Sequence, residues 1–216
     1  MLVGDIAMET RRIIWTIMLA VLVASCGQLL TPGTSEPPPA PGVSTTTDPT
    51  GDAGFAPTFD AVELRTDRGA FSIQVRLWTV PDPILPAPGL LPSPSQLSGG
   101  IGFNTDLNTA TGTGFISPCG GGQGLDRFID LTVRNIDGTY SVLDASLALQ
   151  GTATVALDGP RVIFTTSFGA LGTATGRMQV NAITGLGAFS ARDCIPDAGQ
   201  SLPSRAPSGR HRLLAD

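Results

Sequence analysis

Apolar and polar residues alternate one by one over several segments, and this pattern constrains the fold more than any other feature of the sequence. Residues 71–77 carry Phe, Ile, Val and Leu at every second position, and residues 129–133 repeat the pattern. Successive side chains of a β-strand point to opposite faces, so a period of two indicates strands with one buried and one solvated face. After residue 26 no segment shows a sustained helical period.

Turn-forming residues separate these alternating segments. Asp67-Arg68-Gly69, Asp137-Gly138 and Asp158-Gly159-Pro160 supply positions that tolerate a positive φ, as do the glycines of residues 169–172 and 185–187. Short connections join neighbouring strands as antiparallel hairpins. The sequence therefore predicts an all-β fold, an antiparallel meander of about seven to nine strands that forms a sandwich or a small barrel.

Two regions do not fit a simple series of short strands. The alternation of residues 143–157 is too long for an ordinary strand, so we predict a bulge or bend near Gln150-Gly151, with the odd-numbered positions on one face. Residues 80–100 contain six prolines, and glycine-rich sequence follows as far as Gly124. A loop of this length is uncommon inside a domain, so we predict a further strand near residues 111–117.

The first residues of the chain carry the pattern of an export signal. Arg11 and Arg12 precede a run of 13 mostly apolar residues, 13–25, whereas a permanent membrane helix needs roughly 20. A charged start, a short apolar core and small residues at its end are typical of a signal peptide. Val23-Ala24-Ser25-Cys26 resembles the lipobox of bacterial lipoproteins, and this resemblance covers residues 11–26 only. The alternative is an ordinary signal peptide followed by an unrelated cysteine.

The resemblance implies that Sγ of Cys26 receives a diacylglyceryl group and that cleavage occurs before this residue. Several acyl chains on one residue hold a soluble domain stably at a membrane, whereas one chain anchors it only marginally. We therefore expect an extracytoplasmic protein of the cell envelope that contacts the membrane through lipid on Cys26. Gly27 stands where some lipoproteins carry an aspartate that retains them in the inner membrane, which favours the outer membrane in a cell with two membranes.

Composition divides the chain into four parts. Residues 1–25 form the predicted signal peptide, and residues 26–57 the lipidated cysteine and a linker rich in Pro, Thr and Ser. Residues 58–195 form the predicted β-domain, and residues 196–216 a polar tail. Because the linker and the tail contain too little apolar surface to offset the entropy of ordering them, we expect both to be disordered.

The predicted domain lacks the residue types that most catalytic chemistry needs. The single histidine of the sequence, His211, lies in the predicted tail, and all 13 basic residues are arginines. Hydrolases with a Ser-His-Asp or Cys-His arrangement, Schiff-base chemistry and a phosphate-loop lysine are therefore excluded. We expect no cofactor and no zinc site. The net charge of −5 repels phosphate backbones, so we expect no nucleic-acid partner.

Asn104, Asp106 and Asn108 are spaced like the ligands of a calcium-binding loop. The glycine and the distal glutamate that complete such a loop are missing. We interpret these residues as the polar side chains of a solvated loop and predict no metal site.

Cys119 and Cys194 remain once Cys26 is assigned to the lipid. An exported protein lies where disulfides persist, so we predict a bond between these two cysteines. Closing a loop of about 75 residues stabilises a fold by about 4.5 kcal/mol in the chain-entropy treatment. The alternative is two separate buried thiols.

Trp78 and Arg76 are the candidate ligand-binding residues. Trp78 is the only tryptophan after residue 26, and it falls on the polar face of its predicted strand in register with Arg76. An aromatic ring among polar strand residues can stack on a sugar or anchor a partner. The alternative is that Trp78 packs beneath the proline-rich loop, which starts three residues later.

These observations predict a lipid-anchored envelope protein with a non-catalytic β-domain. The domain is expected to bind a ligand, an envelope protein or a glycan, or to have a structural role at the cell surface. The alternative is a hydrolase that uses carboxylates alone and acts on envelope or extracellular polysaccharide. Glu63 is the only glutamate of the predicted domain.

Overall fold

The described part of the chain is built from β-strands. The computed structural model describes residues 42–51, 59–112, 124–186, 192–196 and 202–203. Every regular element in these ranges is a strand, which confirms the all-β prediction. Within the same ranges there is no helix with the length and apolar character needed to cross a membrane.

Eleven strands follow one another along the described residues. They are β1 (Gly42–Thr47), β2 (Asp60–Arg68), β3 (Ser72–Val80), β4 (Leu97–Asn104), β5 (Arg127–Arg134), β6 (Tyr140–Asp144), β7 (Leu149–Asp158), β8 (Arg161–Ser167), β9 (Gln179–Leu186), β10 (Arg192–Ile195) and β11 (Leu202–Pro203). The number exceeds the prediction partly because β1 lies in the range assigned to the linker and β11 in the range assigned to the tail.

The strands form one antiparallel sheet that curls into a nearly closed, barrel-like structure. Its order is β1-β2-β3-β8-β7-β6-β5-β4-β9-β10, and β11 also pairs with β9. Strands β4 to β8 follow the predicted meander, each paired with the next in sequence. The pairings of β3 with β8 and of β4 with β9 join strands far apart in the chain.

Side chains connect the two sides of the remaining gap in the sheet, where β10 lies beside β2. Oδ2 of Asp193 in β10 accepts a hydrogen bond of 2.6 Å from the backbone N–H of Ala61 in β2. Oγ1 of Thr184 in β9 donates to the carbonyl of Phe59, just before β2. A buried carboxylate and a buried hydroxyl therefore link β10 and β9 to the start of β2 across this gap.

The interior of the barrel is filled by the inward-facing residues of the strands. In β3 the predicted alternation holds, because Ile73, Val75 and Leu77 are fully buried. Phe71 was predicted to continue this apolar series, but it lies in the turn before β3 and is 75 % exposed. In β9, Val180 and Ala182 face the core, and the alternate residues Asn181 and Ile183 are buried as well.

The long alternating run at residues 143–157 is divided by a tight turn. β6 ends at Asp144 and β7 begins at Leu149, with Leu147 at a positive φ of 67° between them. The predicted bulge is present, because Val142 pairs with Gly151 and Leu143 with Leu149, which leaves Gln150 as the extra residue. The turn and the bulge interrupt the alternation, and Leu147 and Leu149 are 52 % and 66 % exposed. The prediction that the odd-numbered positions lie on one face is therefore wrong.

Two other predicted strands fall largely on residues that the structure does not describe. The strand expected near residues 111–117 lies mostly in the range 113–123, which is outside the described residues. Cys119 lies entirely in this range. The final strand expected over residues 187–193 also lies mostly outside, and its described end belongs to β10.

The proline-rich loop between β3 and β4 packs against the end of the barrel. Leu85 contacts the core, and Pro83 and Pro86 are buried. The backbone N–H of Gly89 donates to the carbonyl of Arg134 at the end of β5, at 2.7 Å. Backbone and side-chain contacts therefore hold this loop in place without strand pairing.

Candidate functional site

The outer face of β2, β3 and β8 carries the residues that the sequence singled out. Trp78 in β3 lies between two charged neighbours, Glu63 of β2 and Arg161 of β8, which are its partners in the strand register. Arg161 Cζ is 5.0 Å from the centroid of the Trp78 ring. Arg161 Nε is 4.0 Å from Oε1 of Glu63. Because β8 and β2 flank β3, the Arg161 side chain crosses Trp78 to reach Glu63.

This arrangement determines how Trp78 can be used. The side chains of Arg161 and Glu63 are 37 % and 23 % exposed, so their ion pair is solvated and stabilises by at most about 1 kcal/mol. A cation over an indole ring at a partly exposed site adds about 0.5–1 kcal/mol. A sugar that stacked on this ring face would have to displace Arg161. The alternative prediction was that Trp78 packs beneath the proline-rich loop. The contacts described above for that loop are with β5 and the core.

Arg76 lies in the next row of the same face, directly opposite a second arginine. Its register partner on β2 is Arg65, and its partner on β8 is Ile163. Arg76 Nη2 donates to Oε1 of Gln74 at 3.3 Å. Sequence reasoning missed Arg65, because the alternation places it on the polar face of its strand but does not reveal which residue of β3 lies opposite.

The two arginines share a similar environment. Both side chains are half-buried, and the Nε atom of each is inaccessible to solvent and makes no hydrogen bond. The salt bridge between Arg161 and Glu63 is the only one among the described residues, so no described carboxylate lies within 4.0 Å of either guanidinium. Like charges directly opposite each other destabilise a strand pair.

The buried carboxylates near β2 bind backbone groups. Asp193 accepts hydrogen bonds from the N–H of Ala61 at 2.6 Å and of Cys194 at 2.8 Å, one on each oxygen. Asp60 accepts from the N–H of Gly51. These bonds hold strand ends and loops together. In the described ranges no three acidic, histidine or cysteine side chains are grouped so as to hold a metal ion.

The side chains of the calcium-like triad bond within the protein. Asn104 is buried, and its Nδ2 donates to Gln179 Oε1 at 3.4 Å. Oδ2 of Asp106 accepts from the hydroxyl of Thr111 at 2.7 Å, and its Oδ1 from the N–H of Asn108 at 2.8 Å. These bonds, the Thr111 bond first, hold the pKa of Asp106 below its ordinary value. The arrangement fits the loop-polarity interpretation.

The three cysteines are not all within the described residues. Cys194 is half-buried in β10, beside Asp193. Cys26 and Cys119 lie outside the described ranges, so the lipid attachment and the predicted disulfide stay predictions.

Comparison with protein-family models, with curated proteins and with solved structures finds no match to this chain.

Proposed function

We propose that the protein is a lipid-anchored lipoprotein of the bacterial cell envelope whose β-domain binds a ligand and does not catalyse a reaction. The observation that carries the first part is the tetrapeptide Val23-Ala24-Ser25-Cys26 at the end of a short apolar run. An apolar run of this length suits a cleaved signal rather than a permanent membrane helix.

The length of chain between the anchor and the barrel supports a position near the membrane. Fifteen residues, 27–41, separate Cys26 from the start of β1 at Gly42. At no more than about 3.3–3.6 Å per residue, such a segment spans at most about 50 Å. The β-domain is then confined to a shallow layer next to the bilayer, where its ligand must also be.

A binding role is supported by how the polar residues are used. Asp193 and Asp60 bond to backbone N–H groups, and Glu63 is paired with Arg161. A glycosidase needs two carboxylates that flank the substrate, so these engaged groups do not favour the carboxylate-hydrolase alternative. Arg76 and Trp78, by contrast, lie on an outer sheet face, in positions that a ligand can approach.

Acylation is tested by replacing the proposed lipid attachment site. The Cys26→Ala variant should lose labelling by an alkyne fatty acid, accumulate as a larger precursor and leave the envelope membrane fraction. Ser25→Ala is the matched control, because it keeps a small residue before Cys26 and should be labelled like the natural chain. Fatty-acid labelling that persists in Cys26→Ala would contradict the proposal.

We also propose a disulfide between Cys119 and Cys194. Its support is the extracytoplasmic location proposed above, where disulfides persist, and the side chain of Cys194, which is not a free thiol. The bond would fix β10, a four-residue strand at the end of the sheet order.

A further inference from the structure

We propose that Arg65 and Arg76 together form a binding site for a compact oxyanion, a phosphate group that is either free or part of a lipid headgroup. This inference rests on the proposed binding role of the β2-β3-β8 face and adds the chemistry of its ligand. The starting observation is the strand register, which places the two arginines directly opposite each other on β2 and β3.

The geometry of an antiparallel pair brings the two side chains close. Residues directly opposite have Cβ atoms about 4.5–5.5 Å apart. Both arginines alternate with buried residues, Leu64 and Thr66 on β2 and Val75 and Leu77 on β3, so both project from the outer face. Two positive side chains thus leave the sheet side by side.

The nearest acidic residues on this face do not neutralise the pair. Glu63 in the row beside it is engaged by Arg161 at 4.0 Å. Asp67 lies in the row on the other side, opposite Gln74, and forms no salt bridge among the described residues. The side chain of Gln74 accepts a hydrogen bond from one nitrogen of Arg76 but carries no charge.

The unmet hydrogen bonds point to the kind of ligand. The Nε atoms of Arg65 and Arg76 are both inaccessible to solvent and have no acceptor. A planar guanidinium donates two parallel hydrogen bonds to the oxygens of a phosphate, one of them from Nε. A single oxyanion between the two side chains would accept hydrogen bonds from both guanidinium groups and reduce their repulsion.

The neighbouring Trp78 provides a reporter for such a ligand. It lies two residues from Arg76 on the same face of β3, and its ring is already in contact with Arg161. An anion drawn into the arginine row also attracts the Arg161 guanidinium, which is 37 % exposed. We therefore expect phosphate to change the fluorescence of Trp78.

The test is a titration of the purified mature protein, which begins at Cys26 and has Trp78 as its single tryptophan, with inorganic phosphate at low ionic strength. Phosphate should raise the melting temperature and change Trp78 fluorescence in a saturable manner. Arg65→Gln and Arg76→Gln should each weaken binding at least about tenfold. Arg177→Gln removes an exposed arginine outside this face and should bind phosphate like the natural protein.

A charge reversal separates loss of the site from loss of the fold. Arg76→Glu places a carboxylate opposite Arg65, an opposite-charge pair that a strand register favours. Without phosphate its melting temperature should equal or exceed that of the natural chain, while the phosphate response should be absent. An Arg76→Glu protein that is folded and still responds to phosphate would overturn the proposal.

Two sets of vesicles distinguish a headgroup phosphate from a free one. The protein is bound to phosphatidylcholine vesicles with or without phosphatidic acid, and Trp78 fluorescence is compared. A response to phosphatidic acid that needs Arg65 and Arg76 identifies a headgroup, and a response to inorganic phosphate alone identifies a free anion. The site is refuted if neither probe gives a response, or if Arg177→Gln loses the phosphate response as much as Arg65→Gln and Arg76→Gln do. Failed acylation would appear instead as failure to bind phosphatidylcholine vesicles.

Discussion

At the scale of single residues, Tyr140 couples the stability of the barrel to alkaline pH. Its side chain is 1 % exposed and meets the ring of Phe164 edge-on, with centroids 5.7 Å apart. Burial raises the pKa of Tyr140 to about 12, although the nearby Arg134 partly opposes the change. In the unfolded chain a tyrosine has a pKa of about 10.

The direction of the pH effect follows from these two values. Between about pH 10 and 12 the folded protein keeps the tyrosine proton while the unfolded chain loses it, so the stabilising effect is complete below pH 10 and disappears as the pH rises through this window. We predict that the free energy of unfolding falls by about 2–3 kcal/mol over this range. Urea titrations at a series of pH values measure it, and Tyr140→Phe should remove this component. Tyr140 is the expected titrating group, because the sequence has one tyrosine and no lysine. An equal loss of unfolding free energy in Tyr140→Phe would show that another group is responsible.

Gly99 in β4 is fixed by a close approach of two strands. Its φ is +124°, and a Cβ placed there would lie 1.9 Å from the carbonyl oxygen of Ile183 on β9. We predict that Gly99→Ala lowers the free energy of unfolding by more than about 3 kcal/mol, because backbone strain and steric overlap act together. Gly159→Ala is the matched control: Gly159 has a φ of +57° and no atom within 4 Å of the Cβ position, so it should lose only about 1–2 kcal/mol. Equal losses in denaturant unfolding would contradict the steric argument.

At the scale of elements, the least regular connection in the barrel is the one between β10 and β2. The Asp193 carboxylate provides the bond to Ala61 N–H at 2.6 Å. We predict that Asp193→Ala destabilises the protein by about 2–4 kcal/mol, because it leaves buried N–H groups without an acceptor. Hydrogen exchange at the amide of Ala61 should speed up more than exchange in β3. Asp158→Ala, at the exposed end of β7, should change stability by less than about 0.5 kcal/mol. Fast exchange at Ala61 in that variant would argue against a specific role for Asp193.

The elements show where sequence periodicity is informative and where it is not. In β3 the alternation identifies the buried residues, because one face of this strand packs on the core and the other is partly exposed. In β9 it does not, because residues 180–185 are all buried and both faces of the strand are covered. At residues 143–157 the same alternation continues through a turn, since Asp144 Oδ1 accepts from the N–H groups of Ser146 and Ala148 and stabilises a reversal of the chain. Aspartate and serine occur on the polar face of a strand as well as in turns, so the pattern alone does not distinguish the two.

At the scale of the whole molecule, the pairing of distant strands is what the sequence does not reveal. Turn residues at 67–69, 137–138 and 158–160 predict the hairpins β2–β3, β5–β6 and β7–β8. The β3–β8 and β4–β9 pairs depend on how the sheet curls. The candidate site follows the same rule. Arg76 and Trp78 are visible as polar-face residues of one strand, whereas Arg65 becomes their neighbour only through the register of β2 with β3.

The proposed disulfide also belongs to this scale, because it would join positions 119 and 194 across the chain. Cys194 pairs with Ile183 of β9 in the short strand β10, and a covalent bond there would prevent the end of the sheet from separating. We predict that a peptide map without reductant contains linked Cys119 and Cys194, and that reduction lowers the melting temperature by several degrees.

A pair of cysteine variants tests the bond independently of the peptide map. Cys119→Ser and Cys194→Ser should each lower the melting temperature by a similar amount, and the double variant should be no less stable than either one, because all three lack the same bond. Two separate buried thiols would give a different result: each replacement would make its own contribution, the effects would add, and reductant would leave the natural protein unchanged.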